Sequence, residues 1–485
     1  MRVAPPVPEA MPVPAAVPVA QPGAVRGRAE GGGTRRRLLS GAGGLGTALL
    51  AACSGGGPAA GGGGAPAGKS RQPVSLSYTT FWDEQRLSVV RPAVKEFEER
   101  TGHTVTMDAV PGYTENFVVQ FASGSAADVP HAVNYLMPKL FDQGAILDLS
   151  GYLNRDKMNL RRDYGLMGLE YWGGKILTMP YVLSPHAWYY NKTMLKEAGA
   201  PDPWDTLKGE VVWEDLLTIA KATTRPGSGD RPERWGMQLT YNDIEYQLGG
   251  FVWSNGGRTH DWGAFKYTMD LPQSVEAVQW VHDLLHRHRA MLPTATATAL
   301  RDAGITNPFV AGRVAMFENS TGQLSPLLTG VRDQFEWDVF PIPRAKKGGP
   351  PPVVYTSGDP NCVNAATPKA DAAWELASWL GGPVVQGLIG RTKLLTPALT
   401  EASGDEKAYA APPPAHTRVF AEVFKGKVFR RFFHYNHQQG LAVFRKWLDQ
   451  AFDQNTVGIE QALREATREA NLLVEGGKTR PTFPD

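Results

Sequence analysis

The chain has 485 residues, more than one ordinary hydrophobic core supports, so two domains or lobes are expected. Hydrophobic residues make up 42% and charged residues 20%, which is ordinary for a soluble globular protein. The formal net charge is only +2 and its basic excess lies in the first 52 residues, so the remainder has no basic footprint for nucleic acid. The two cysteines, Cys53 and Cys362, have such different sequence contexts that no disulfide between them is expected.

Residues 1–52 have the features of a leader followed by an export signal. Residues 1–34 are rich in Pro, Ala, Val and Gly and cannot build a core, so they are either a disordered leader or sequence upstream of the true start. Arg35-Arg36-Arg37 resembles a twin-arginine signal, although the general secretory route stays open. The weakly apolar stretch after it is shorter than the ~20 residues of a membrane span, which argues against an uncleaved anchor helix.

The end of this signal, Leu50-Ala51-Ala52-Cys53, resembles a bacterial lipoprotein box. Small residues before the cysteine suit a signal peptidase, and the Cys53 thiol would carry the lipid. Residues 53–73 are rich in Gly, Pro and Ala and predict a flexible tether. The sequence therefore predicts an exported protein held on the outer face of the cell membrane by a lipid on Cys53.

Strands and helices alternate in the first part of the mature chain, which predicts a parallel sheet covered on both faces. The predicted strands are 74–80, 104–109 and 129–134, and the predicted helices are 89–100, 114–123 and 136–143.

The stretch from Met179 to Lys192 organises the middle of the chain. Its aromatic and β-branched residues favour an extended backbone, while Pro180 and Pro185 are expected to break it. Such a strand suits a connection between two lobes better than the centre of a sheet. Asn191 is a helix cap for 192–198, and Gly199 supplies the left-handed stop.

The second half of the chain alternates less regularly. Helices are predicted at 213–223, 272–287 and 370–380, strands at 312–318 and 353–363, and a proline-rich crossing at 339–354. His282 and His286 have the i, i+4 spacing of metal ligands, but the neighbouring arginines favour a solvated helix face, so no metal site is predicted. Cys362 is interpreted as an inert buried thiol.

Several short motifs occur in a fixed order along residues 74–475. They include Phe81-Trp82-Asp83, Ala126-Ala127-Asp128-Val129, Trp188-Tyr189-Tyr190-Asn191-Lys192, Gly312-Arg313-Val314-Ala315-Met316 and Val339-x-Pro341-Ile342-Pro343. This ordered set resembles the extracellular solute-binding proteins of ABC importers, family 1, of the maltose and multiple-sugar type. The chain departs from the family pattern at the longer link Pro201–Val212, at Pro130, and at Asp359, where a second glycine is usual.

The resemblance implies an α/β, two-lobe, periplasmic-binding-protein-like fold. Each lobe would be a mostly parallel sheet flanked by helices, with a ligand cleft between the lobes. The first lobe would comprise 74–183 and 355–410, and the second 187–345 and 415–475. The crossings would be 179–190 and 339–354, with Ser184 as the pivot. Residues 420–435 and 457–474 resemble the family's C-terminal helices, which would end in the second lobe.

The resemblance also implies that the protein captures a sugar or oligosaccharide by hinge closure and delivers it to an ABC permease. It would act as a monomer, without a cofactor and without catalysis. Two alternatives remain open: a glycoside-processing enzyme and a non-transport sensor or scaffold. The enzyme would need two carboxylates facing one bond, and Asp83 has only its sequence neighbour Glu84.

Sugars expose hydroxyl rims and apolar faces, so aromatic planes, carboxylates and amides are the expected partners. Trp82 and Asp83 stand at a strand end, where ligands bind in α/β sheets. For Tyr246 and Trp253, core packing is an equally good interpretation. The predicted ligand-binding residues are Trp82, Asp83, Tyr113, Asn134, Tyr135, Ser184, His186, Tyr246, Trp253, Asn319 and Asp359.

Overall fold

The computed structural model of the chain describes residues 72–164, 171–227, 233–392, 394–403 and 413–474. The predicted leader, export signal, lipidated Cys53 and nearly all of the tether lie outside these residues. Within the described ranges, none of the helices has the length and apolar character needed to cross a membrane.

The strands run in chain order as follows: β1 Ser75–Thr80, β2 Thr104–Ala109, β3 Val129–Pro130, β4 Tyr171–Trp172, β5 Lys175–Ile176, β6 Met179–Asn191, β7 Trp235–Gln238, β8 His260–Asp261, β9 Lys266–Tyr267, β10 Val314–Ser320, β11 Trp337–Phe340, β12 Val353–Asn361, β13 Thr396–Pro397 and β14 Lys427–Phe429.

The α-helices are α1 Glu84–Thr101, α2 Tyr113–Ser123, α3 Met137–Asp142, α4 Ser150–Arg155, α5 Leu160–Tyr164, α6 Lys192–Ala198, α7 Trp213–Thr223, α8 Gln247–Ser254, α9 Pro272–His286, α10 Thr294–Asp302, α11 Leu324–Gly330, α12 Ala370–Gly381, α13 Pro383–Gly390, α14 Thr400–Ser403, α15 Val419–Glu422, α16 His437–Phe452 and α17 Ile459–Val474. Short 3₁₀ turns lie at Asn134–Leu136, Thr321–Gln323 and Val423–Lys425.

The predicted parallel sheet at the start of the chain is present, with strand order β2-β1-β3. Its third strand is much shorter than predicted, because the chain leaves β1 directly after Pro130. His131 N still donates to Thr79 O at 2.8 Å, but Ala132 N donates instead to Pro360 O at 2.8 Å. The segment after β3 is thereby tied to β12, more than 200 residues later in the chain.

The larger sheet is built around β6, which is one continuous strand of 13 residues. The strand order is β14-β12-β6-β10-β7, so the prediction that the two prolines break this segment and keep it from a sheet centre was wrong. Its first half pairs with β12 and β13, and its second half pairs with β10 and β11. All four of these pairings are antiparallel, so this sheet is mixed rather than mostly parallel.

The prolines of β6 lie where the ladder itself changes. Pro185 is opposite Thr356 at the end of the β12 pairing, and the next residue, His186, is opposite Ser320 of β10. Pro180 lies in the stretch where the register with β12 shifts between Asp359 and Asn361. A residue without a backbone N–H is tolerated at such irregular positions, which explains how a central strand holds two prolines.

Two large apolar clusters correspond to the two lobes. One lies between β1, α1, α12, α13 and the first half of β6, with Phe97 and Trp374 fully buried in it. The other surrounds the second half of β6 with α7, α8, α9, α16 and α17, and includes Trp188 and Phe444. This second cluster continues to Phe117 and Met137 of α2 and α3, so apolar contact is continuous between the lobes.

Local signals placed several helices correctly. Asn191 Oδ1 accepts the N–H of Met194 at 2.8 Å at the start of α6, and Gly199 ends the helix with φ of 63°.

The predicted helix 420–435 is instead α15, a 3₁₀ turn and β14, because residues 427–429 pair in parallel with β12. Helix α16 was not predicted. Its Gly440 lies so close to Tyr267 that a Cβ would be 3.0 Å from Tyr267 Oη.

Candidate functional site

Polar side chains gather where β6 changes partners, at the junction of the two lobes. Ser184 Oγ donates to Asp359 Oδ2 at 3.2 Å across the β6–β12 pair. His186 is two residues further along β6 and therefore projects to the same side of the sheet as Ser184. The lobe junction thus presents a hydroxyl, a carboxylate and an imidazole from neighbouring strands.

Asp359 is the acid of this group, and its pKa differs from the ordinary value. Burial raises its pKa to about 6, against the smaller lowering effects of the Ser184 hydroxyl and the positive charge of Arg86. A carboxylate with one neutral donor is poorly compensated for its lost water. It is therefore suited to accept further hydrogen bonds from a ligand.

Tyr246 and Asn319 form the opposite side of the site. Tyr246 Oη donates to Asn319 Oδ1 at 2.8 Å, and the same oxygen accepts the backbone N–H of Ser320 at 2.8 Å. The amide oxygen is thus fully used, while within the described residues Asn319 Nδ2 donates to no protein acceptor. The Tyr246 ring meets His186 edge-on, with 4.8 Å between centroids.

His186 is buried and hydrogen-bonded through Nδ1 to Oε1 of Glu318, on the adjacent strand β10. Its ring lies between Tyr246 and Tyr355, with both centroids at 4.8 Å. Glu318 and the two tyrosine rings thus hold His186 in place, and His186 stabilises the wall of the site.

Arg431 was not predicted, and it adds a cation to this wall. Its guanidinium carbon lies 5.9 Å from the ring centroid of Tyr246 and 5.7 Å from that of Tyr355, and its Nη2 is 3.3 Å from Asp243 Oδ2. Tyr355 in turn contacts Phe429, on which Trp253 stacks with 5.4 Å between centroids. Trp253 therefore belongs to an aromatic row that continues to His260, and no contact with Asn319 is seen among the described residues.

Trp82 does not have the position that the sequence predicted. It is 2% exposed, stacks on Tyr181 with centroids 4.8 Å apart, and meets His131 edge-on. In this conformation it has no surface to offer a ligand, because it fills the core beneath the end of β1. Its neighbour Phe81 is 45% exposed and lies against His131 at 4.6 Å, so Phe81 is the aromatic side chain presented at this strand end.

Asp83 is the N-cap of α1, which begins five residues earlier than predicted and therefore holds Pro92 in its interior. Its Oδ1 accepts the N–H of Arg86 at 2.9 Å, so the carboxylate is used locally although it is exposed. The first turn of α1 then reaches the second lobe. Arg86 Nη2 donates to Gly322 O at 2.7 Å, and Ser325 Oγ hydrogen-bonds to Oε1 of Gln85.

The remaining predicted residues have mixed positions. Tyr113 is buried, and its hydroxyl donates to His131 O at 2.7 Å, so it fixes the β3 segment and has no free polar atom for a ligand. Asn134 Nδ2 donates to the backbone oxygen of Gly358, directly beside Asp359. Tyr135 stacks on His437 of α16, with centroids 5.7 Å apart, and so links the two lobes.

The structure therefore brings five predicted residues into one site, namely Ser184, His186, Tyr246, Asn319 and Asp359. Asn134 and Tyr135 border it, whereas Trp82, Asp83 and Tyr113 support the first lobe. Sequence reasoning missed Phe81, Arg86, Glu318, Tyr355 and Arg431. The phenylalanine next to a predicted binding tryptophan was the only one of these with a usable local signal.

A metal ion has no evident site in the described parts of the chain, since no group of three or more His, Cys, Asp or Glu side chains converges there. His282 and His286 stack with 4.3 Å between ring centroids, and His286 Nε2 hydrogen-bonds to Phe452 O at 2.8 Å. This pair packs α9 against the end of α16.

A family model described as bacterial extracellular solute-binding protein matches residues 82–387, more than half of the chain. Relatives named as binding proteins in Brucella abortus and Brucella suis are 25% identical over 230 residues. That match covers 46% of this chain and spans about half, 52%, of those relatives.

Solved structures share the fold over nearly the whole described region. An ABC substrate-binding protein from Listeria monocytogenes, in complex with cycloalternan, has a TM-score of 0.70 at 19% identity, over 84% of this chain and 100% of that chain. The GacH receptor of Streptomyces glaucescens, described unliganded and with acarbose, gives 0.69 at 19% identity, again over 84% and 100%. A maltotriose-bound maltodextrin-binding domain from Bdellovibrio bacteriovorus gives 0.65 at 16%, over 83% and 100%.

Proposed function

The chain belongs to the bacterial extracellular solute-binding protein family, and on that premise we propose that it is the substrate-binding component of an ABC importer. It captures a small solute between its two lobes and delivers it to a membrane permease. The observation that carries this proposal is the polar and aromatic wall at the lobe junction, where Ser184, Tyr246, Asn319 and Asp359 come together from different strands and helices. Family members and structural neighbours are binding proteins, and this chain binds without catalysis.

The proposed ligand is a sugar or oligosaccharide. Asp359 and Asn319 supply an acceptor and a donor for hydroxyl groups, while Phe81 and Tyr246 supply apolar faces. Three structural neighbours are described with cycloalternan, acarbose and maltotriose, which supports an oligosaccharide in this chain as well.

The lobes proposed from the sequence, 74–183 with 355–410 and 187–345 with 415–475, close over this ligand about the crossings 179–190 and 339–354. Ser184 is the proposed pivot, since it lies just before Pro185 and the change of pairing partner on β6. The contacts of Arg86 with Gly322 and of Tyr135 with His437 then stabilise the closed form.

The protein is proposed to be exported and held as a monomer at the outer face of the cell membrane by the lipid on Cys53. Its partners are the transmembrane subunits of the importer. The flexible tether 53–73 gives the binding domain reach to the permease while the lipid keeps it near the membrane.

A thermal-shift screen over maltose, maltotriose, larger maltodextrins, acarbose and other sugars tests the proposal. A ligand that binds only the folded protein raises the unfolding midpoint by mass action. The matched test variant is Asp359→Asn, which keeps the acceptor for Ser184 but lacks the charge, and for which the ligand is expected to raise the midpoint less. The proposal of a sugar ligand would be contradicted if no sugar raised the unfolding midpoint and calorimetry detected no binding. Turnover of an oligosaccharide would contradict binding without catalysis.

A further inference from the structure

Two buried ionisable groups of the second lobe face each other without a hydrogen bond. Glu245 is 0% exposed and His437 is 1% exposed. Glu245 Oε2 lies 3.6 Å from His437 Nε2, and neither atom has a hydrogen-bond partner among the described residues. Unpaired buried polar atoms are costly, so a facing pair of them calls for a physical explanation.

The other atoms of both side chains are held by the backbone of one residue, Phe432. Phe432 N donates to Glu245 Oε1 at 2.7 Å, and Phe432 O lies 2.9 Å from His437 Nδ1. A carbonyl oxygen only accepts, so Nδ1 of His437 carries a hydrogen. In the neutral imidazole, Nε2 is then an acceptor that points at the second carboxylate oxygen.

Two acceptors face each other unless a proton lies between them. Burial lowers the pKa of His437 well below its ordinary value, and Arg431, His434 and His260 act in the same direction. Burial raises the pKa of Glu245 to about 8, although Arg431 opposes this rise. Near neutral pH the proton therefore belongs to Glu245, whose hydroxyl faces His437 Nε2 across the 3.6 Å gap.

We propose that Glu245 and His437 share one buried proton, and that this pair positions His437 as the support on which Tyr135 of the first lobe rests. The stacking of Tyr135 on His437 joins the lobes directly beside Asn134 and the ligand site. Glu245 immediately precedes Tyr246 of the site wall, so the pair is coupled to the ligand from both sides. This inference rests on the proposed function, since it makes the pair a positioning device for closure over the ligand.

The surroundings are compatible with a single shared proton. The ionisable groups that face the pair are Arg431, Asp243, His260, His434, Tyr267 and Tyr355, together with Tyr135 against the ring of His437. Arg431 is paired with Asp243 at 3.3 Å, and His434 Nε2 lies 3.0 Å from Tyr267 Oη. The paired charges of Arg431 and Asp243 thus oppose each other and leave the Glu245–His437 proton as the variable charge.

The experiment needs no sugar, so its failure is distinguishable from failure of the proposed function. Glu245→Gln replaces the protonated carboxyl with a group that still accepts from Phe432 N and presents an N–H to His437 Nε2, but cannot ionise. Small-angle scattering of wild type and variant is measured between pH 6.5 and 9.5, with Glu214→Gln, an exposed glutamate of α7, as the matched control.

The expected result is a radius of gyration that rises through about pH 8 in the wild type and in Glu214→Gln, and that stays constant in Glu245→Gln. Nitrogen-15 NMR of the wild-type histidines supplies an independent readout, in which His437 is expected as the Nδ1–H tautomer at pH 7. A pH response shared by all three proteins, no response in the wild type, or an Nε2–H tautomer of His437 would overturn the proposal.

Discussion

Ser184 of β6 and Asp359 of β12 meet at 3.2 Å, at the point where β6 passes from the strands of one lobe to those of the other. A carboxylate in place of the family's usual small residue is thus held by the proposed pivot itself. Any change in the backbone at Ser184 moves the donor that Asp359 depends on, so the proposed ligand contact and the proposed lobe movement share one hydrogen bond.

Asp359→Asn is expected to change stability in a pH-dependent way. Because the pKa rises from 3.8 to about 6 on folding, the wild-type residue contributes its full stability below pH 3.8 and loses it as the pH rises through about 6. The variant cannot ionise, so it should match the wild type near pH 4 and be more stable at pH 8, by at most about 3 kcal/mol. Thermal unfolding at both pH values is the measurement, and a variant less stable at pH 8 would contradict the burial argument.

Trp82→Ala and Phe81→Ala are expected to separate folding from binding. Trp82→Ala removes a buried ring and should lower the free energy of unfolding by about 3 to 5 kcal/mol. Phe81→Ala should change that free energy by only about 0.5 kcal/mol and weaken ligand binding by about 1 to 2 kcal/mol. Denaturant titration and calorimetry measure the two effects, and the opposite assignment would restore Trp82 as the ligand contact predicted from the sequence.

Arg86→Ala is expected to favour the open form of the free protein. The substitution removes the 2.7 Å hydrogen bond to Gly322 O between α1 and the segment before α11. Arg91→Ala is the matched control, since Arg91 lies on the same helix and pairs with Glu84 at the surface. Distances between spin labels at Lys95→Cys and Arg332→Cys can be measured by pulsed electron–electron double resonance. They should lengthen in Arg86→Ala but not in Arg91→Ala. Equal distances in both variants would mean that this contact does not hold the lobes together.

Cys53→Ala is expected to release the protein from membranes without affecting its fold, because the residue precedes the tether and the core. Membrane fractionation with thermal unfolding as the folding control measures this. A Cys53→Ala protein that stays with the membrane fraction would argue for an uncleaved anchor helix instead.

Replacing both Arg35 and Arg36 by Lys should block export of the folded chain by the twin-arginine route.

Local chemistry determined much of what could be predicted from the sequence. The helix 192–198 was placed to the residue because Asn191 accepts an N–H of the first turn and Gly199 adopts the left-handed conformation, both within a few residues. Helix α7 and strand β2 were placed to the residue for the same reason: their apolar period and their flanking residues are local. The ordered motifs also predicted the protein family, and the family model that matches residues 82–387 confirms this prediction.

Only the tertiary structure decided what depends on distant partners. Pro180 and Pro185 argue locally against a central strand, yet β10 and β12, more than 100 residues away, pair with β6 on both sides and place the prolines at irregular positions. Trp82 is buried because it stacks on Tyr181 in the core, and this leaves Phe81 as the residue that faces solvent. Glu245 and His437 are 192 positions apart in the sequence, and they face each other because both bind the backbone of Phe432. Propensities and caps act over a few residues, whereas burial and pairing partners are set by the packing of the whole chain.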